Sequence, residues 1–118
     1  MKDNPLFSKS YRFALKIVRL YKEICRTERE YVISKQLIKC GTSIGANVAE
    51  ANGAISKSDF SSKISIAYKE SLEVKYWLKL LRDSDYLSIK VADSLINDAD
   101  ELSRIMFSIL RTTRIERY

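Results

Sequence analysis

Four carboxylates at matched spacing are the residues in this chain most suited to chemistry. Glu70 and Glu73 lie three apart, as do Asp98 and Glu101. On helices, residues three apart share a face. If the turn between the two helices is centred near residues 85–86, antiparallel pairing sets Glu70 beside Glu101 and Glu73 beside Asp98. Such a quartet can hold Mg²⁺, as in all-α nucleotide pyrophosphohydrolases. Against this, Lys69, Lys75 and Lys79 are near enough to neutralise the acids on a helix surface. No Gly-rich phosphate loop accompanies them. The chain has no histidine, which removes imidazole acid–base chemistry and the His-containing metal sites. The expectation is a protein that is not an enzyme and holds no cofactor and no metal. The Mg²⁺-dependent pyrophosphohydrolase is the minor alternative.

The second pattern is cationic. Lys9, Arg12, Lys16, Arg19, Lys22 and Arg26 step by three or four along residues 9–26. The formal charge of the whole chain is +6, and residues 8–29 carry a net +5 of it. Cations repeating at helical spacing suit a phosphate backbone. Arg111, Arg114 and Arg117 form a second basic patch near the C-terminal end. No helix-turn-helix pattern, zinc finger or aromatic platform points to base readout. The concrete expectation is phosphate-led binding of structured RNA with little base specificity. A solvated helix face accounts equally for the same charges.

These residues need rigid elements beneath them. The chain has 118 residues, one Pro and three Gly, the length of one domain and too poor in turn-formers for many hairpins. Apolar residues recur at steps of three and four in four stretches. Phe13, Ile17, Leu20 and Ile24 mark the first, and Ile33, Leu37, Cys40, Ile44 and Val48 the second. Phe60, Ile64, Ala67, Ser71, Val74, Leu78 and Leu81 mark the third, and Leu95, Ala99, Leu102, Met106 and Ile109 the fourth. This period predicts amphipathic helices over about 8–26, 30–52, 58–83 and 88–114. Short links make neighbours antiparallel, so the fold expected is all-α, a single up-down-up-down four-helix bundle. Asn4-Pro5 suits the start of the first helix. Thr27 to Glu30 matches a capping box before the second, and Ser58 and Ser88 are the expected caps of the third and fourth. Gly41, Gly45 and Ala49 repeat every four residues and make a smooth strip for close packing, within the bundle or between subunits. Cys25 and Cys40 fall at apolar positions and read as reduced core thiols.

A polar line beside the second seam is more than a plain bundle requires. Gln36, Ser43 and Glu50 repeat every seven residues, with Asn47 among them at a core-type position. Glu70, Glu73 and Trp77 flank the third seam in the same way. A solvated flank explains them, as does a subunit interface in which Asn47 fixes register. Gln36-Leu37, the run Thr42-Ser43-Ile44-Gly45-Ala46-Asn47-Val48-Ala49-Glu50-Ala51, Lys57–Phe60, Ile66-Ala67, Glu70-Ser71, Glu73 and Tyr76-Trp77-Leu78 together resemble one family. It is the four-helix-bundle proteins encoded in intervening sequences of bacterial 23S rRNA genes. The likeness covers most of the chain, including Phe13-Ala14 and Ile17. That family is similar to the accessory variability determinant of diversity-generating retroelements, a pentameric ring that binds nucleic acid and a reverse transcriptase. The resemblance implies a ring-forming homo-oligomer, with a pentamer suspected, and Gln36, Ser43, Asn47, Glu50, Glu73 and Trp77 as its interface or family motif. The partners it suggests are RNA or DNA and a nucleic-acid-processing protein. A scaffold for protein interaction without a nucleic-acid role is the alternative. No run of about 18 apolar residues is present and the first residues lack an apolar core, so a cytoplasmic protein with no membrane partner is expected.

Overall fold

The computed structural model describes residues 4–116, and side chains as far as Thr113. Four helices follow one another: α1 Pro5–Glu28, α2 Ile33–Asn52, α3 Lys57–Asp83 and α4 Ile89–Glu116. Links of four or five residues force each helix to reverse on its predecessor. Side-chain pairs across the seams show the antiparallel register. Lys75 and Arg82 of α3 meet Asp100 and Asp93 of α4, so one number rises as the other falls. The result is a rod 49 Å long and little more than 20 Å across.

The expected seams form the core. Phe13, Ile17, Leu37, Ile44, Ile64, Leu78, Leu102 and Met106 are fully buried and come from all four helices. Burying such a side chain stabilises by about 1.5–3 kcal/mol, so these rows decide the helix faces. Two polar residues lie in the same layer without cost. Ser71 and Ser103 are buried with their hydroxyls 2.7 Å apart; one donates to the other, which in turn donates to a carbonyl of its own helix, Tyr68 for Ser71 or Ala99 for Ser103. Their hydroxyls are therefore satisfied.

The four packing seams are unequal. α2 packs closely on both neighbours, and α3 on α4, whereas α1 and α4 meet most sparsely. The small-residue strip explains part of this asymmetry. A Cβ on Gly41 would lie 2.8 Å from Cγ2 of Ile17, and one on Gly45 would lie 3.5 Å from the carbonyl oxygen of Ser10. The strip thus belongs to the α1/α2 seam inside the bundle. Ala49, third in the row, is exposed.

Helix ends follow local chemistry, with two departures from expectation. Asn4 starts α1: its side-chain oxygen accepts from the N–H of Phe7 at 3.1 Å, and its amide donates to Asn52 at 2.8 Å. Ser88 accepts from Val91 N–H at the start of α4. The capping box at Thr27 is not formed. α1 runs on through Thr27, whose hydroxyl donates to the Glu23 carbonyl, and ends at Arg29 in the left-handed conformation. Glu30 alone caps α2, its carboxylate accepting from the N–H groups of Val32, Ile33 and Ser34 at 2.8–3.0 Å. At α3 the cap is Ser56, two residues before the expected Ser58, accepting from Asp59 N–H. In each case an earlier or longer-reaching oxygen satisfies the free donors of the first turn.

Candidate nucleic-acid interface

The basic residues of α1 divide into two groups. Lys9 and Lys16 turn toward α4 and pair with Glu101 at 3.0 Å and Asp98 at 2.9 Å. Arg12, Arg19, Lys22 and Arg26 are exposed and make no ion pair with any described residue. The apolar anchors Phe13, Ile17, Leu20 and Ile24 hold the opposite face of α1 in the core, which fixes the outward direction of these cations. The expected six-membered stripe is therefore a row of four unpaired charges beside two that are already neutralised. Arg111 is exposed on α4. The side chains of Arg114 and Arg117 lie outside the described ones.

Asp98 and Glu101 serve those lysines, and this separates the carboxylate quartet. Glu70 lies instead on the α2 side of α3. Burial and then the like charge of Glu73 raise its pKa, opposed by Lys39. Among the described residues no group of three Cys, Asp or Glu side chains is placed to hold a metal ion. The pairing of Glu70 with Glu101 and Glu73 with Asp98 is thus corrected: the register turns Asp98 and Glu101 toward Lys16 and Lys9 of α1, while Asp93 and Asp100 of the same helix meet α3.

The motif residues sit at the surface of α2 and α3. Gln36, Ser43 and Asn47 are half-buried, and Glu50 and Glu73 are exposed. Asn47 donates to the Ser43 carbonyl and hydroxyl, at 2.9 and 3.0 Å, so within the subunit it bonds along its own helix. Glu50 reaches across to Lys63 at 3.0 Å. The indole N–H of Trp77 donates to Glu73 at 3.0 Å, and Tyr76 stands edge-on to its ring at 4.9 Å. Cys40 is buried beneath this face. Burial, then the charges of Glu73 and Glu70, push its thiol up to about 12. Both cysteines are free, and Cys25 is partly buried beside the Glu30 carbonyl and Ser34.

Between α1 and α4 the sparse seam opens into two hollows. A small one of about 110 Å³ runs past Lys9, Arg12, Lys16, Asp98 and Glu101. A larger one of about 420 Å³ brings Lys16 and Arg19 opposite Lys90, over Leu20, Val91 and Leu95. Lys90 and Val91 carried no signal in the apolar period. Their position in the first turn of α4, antiparallel to residues 16–23 of α1, is what places them here.

The chain is similar to a protein of unknown function from the S23 ribosomal protein family, from Bacteroides thetaiotaomicron, whose crystal structure is solved. It is 43% identical, with a TM-score of 0.88, over 89% of this chain and 97% of that one. No curated protein matches. No helix among the described residues is long and apolar enough to cross a membrane. The model of the 23S rRNA-intervening sequence proteins matches residues 2–108, and the chain belongs to that family.

Proposed function

We propose that the protein is a non-enzymatic, homo-oligomeric scaffold that binds structured RNA through the exposed face of α1. The observation that carries this reading is the row Arg12, Arg19, Lys22 and Arg26, solvent-facing on one rigid helix and unpaired among the described residues. Cations with no internal partner bind phosphate without first breaking an ion pair. Contacts of this kind position a backbone and carry little sequence information. Repetition of the row around an oligomer, a ring in the reading favoured here, multiplies weak contacts through avidity. Surface placement of Glu50, Glu73, Tyr76 and Trp77 supports α2 and α3 as the subunit interface, since a half-exposed Trp with a neighbouring aromatic is typical of such surfaces.

The test is titration of labelled structured RNA with purified protein, followed by anisotropy at several salt concentrations. Four phosphate contacts give a log–log salt slope of about −3 to −4 per protomer. Reversal of Arg12, Arg19 and Arg26 to Glu abolishes binding if the assignment is right; unchanged affinity refutes it. The oligomer is tested separately by light scattering. A monomer at micromolar concentration refutes the interface at Trp77. A protein-interaction scaffold is the second reading, favoured by the exposed Ile66, Leu72, Tyr76 and Phe107 on α3 and α4. It becomes the leading one if no RNA binds at low salt.

A further inference from the structure

The larger hollow between α1 and α4 has a chemistry that a row of phosphate contacts does not need. Its floor is Leu20, Leu95 and Val91, and Val91 is 43% exposed. Its rim is Lys16 and Arg19 on one side and Lys90 on the other. One acid, Glu23, shares the rim, while Lys16 is paired with Asp98 at 2.9 Å. An apolar floor of about 420 Å³ between cationic edges complements a molecule with a flat, weakly polar part and an anionic part. The geometry points to an unpaired nucleotide of a nucleic-acid loop: we infer that its base lies on Val91 and Leu20 against the guanidinium plane of Arg19, with its flanking phosphates on Arg19 and Lys90. This inference rests on the reading of α1 as the RNA-binding face and narrows it to strands with unpaired bases.

Three observations favour this occupant. The hollow continues the row of Arg12, Arg19, Lys22 and Arg26, so a strand following that row passes its mouth. A duplex keeps its base faces stacked inside and cannot fill an apolar floor, whereas loop bases splay out and stack on side chains, arginine planes included. The Glu23 carboxylate beside the floor can accept from the amino group of a base, which gives an acid in a cationic rim a use.

The experiment compares two labelled RNAs of equal nucleotide number, a hairpin with an unpaired loop and a fully paired duplex, at one salt concentration. One stacked base favours the hairpin by roughly tenfold. Val91→Ser removes apolar contact without adding charge. Arg19→Lys keeps the charge and removes the plane. Each variant is read as the hairpin-to-duplex affinity ratio, so any change in phosphate contacts that both RNAs share cancels. Val91 and Arg19 are surface residues, and helicity by circular dichroism verifies the fold. The ratio falls toward one in both variants if the inference holds. Equal binding of the two RNAs by the unmodified protein, or an undiminished ratio in either variant, overturns it and leaves the phosphate reading standing. Absence of binding to either RNA overturns both.

Discussion

Two glycines one turn apart on α2 respond in opposite ways to the same substitution. Alanine in place of glycine gains about 1 kcal/mol of helix propensity. At Gly45 the new Cβ meets Ser10 backbone and hydroxyl oxygens at 3.5 Å, an ordinary contact, so that gain is kept. At Gly41 the Cβ falls 2.8 Å from Cγ2, 3.0 Å from Cγ1 and 3.3 Å from Cβ of Ile17. Ile17 cannot swing aside. It is fully buried, and a β-branched side chain in a helix has one strongly preferred rotamer. The helices must part, and overpacking of this kind costs about 1–3 kcal/mol. Gly45→Ala is therefore expected to stabilise by about 0.5–1 kcal/mol, and Gly41→Ala to destabilise by up to about 2 kcal/mol once propensity is offset. Urea unfolding followed by circular dichroism at fixed protomer concentration measures both. Ile17→Ala supplies the control, because it leaves only the Cβ at 3.3 Å. In that background Gly41→Ala loses its penalty, a coupling of about 1–3 kcal/mol. Equal effects at the two glycines, or no coupling to Ile17, refute the close approach of α1 to α2.

Other expectations use the same logic. Substitution of Arg12 or Arg19 by Gln lowers the salt slope of RNA binding by about one unit each; with a short strand the same change at Lys9 or Lys16 leaves it nearly unaltered, since Glu101 and Asp98 already hold those lysines. Arg29→Gly stabilises by about 1 kcal/mol in thermal unfolding, because Arg29 ends α1 at φ 52° and only glycine adopts that conformation freely. Burial opposes ionisation of Glu30, but hydrogen bonds from Ile33, Ser34 and Val32 outweigh it and hold its carboxyl below the usual range. Its stabilising effect is complete above the unfolded-state pKa and fades as pH falls through the lowered native one. Glu30→Gln thus destabilises at neutral pH, and the difference shrinks in acid. Glu70 has the opposite sign: its raised pKa makes the ionised form costly above the ordinary glutamate range, so Glu70→Gln is stabilising at neutral pH and without effect well below it. Denaturant titrations across pH measure both.

Most of the bundle was legible because core burial obeys a short period. Phe60 to Leu81 and Phe13 to Ile24 alternate steps of three and four, and all but the partly buried Phe60 are buried. The capping box failed for a local reason. Thr27 and Glu30 have the right spacing, yet nothing between Arg26 and Glu28 breaks a helix, so α1 propagated through them. Charges on α1 were legible as a face but not as two populations. Which of them are paired depends on which helix lies alongside and in what register, and the period of a single helix does not carry that information. The carboxylate quartet failed in the same way. Asp98 and Glu101 share a face with each other, but the register turns that face to α1.

On the reading of α1 as the RNA-binding face, the ion pairs Lys9–Glu101 and Lys16–Asp98 act as an internal competitor. A polyanion laid along α1 finds two of six cationic positions occupied by carboxylates tethered to the same chain, present at high effective concentration. A short or sparsely charged strand engages only the four open positions. A long, dense one displaces the carboxylates as well and gains two further contacts at once. On that reading the seam sets a threshold, a discrimination by length and charge density that is separate from any contact to a base.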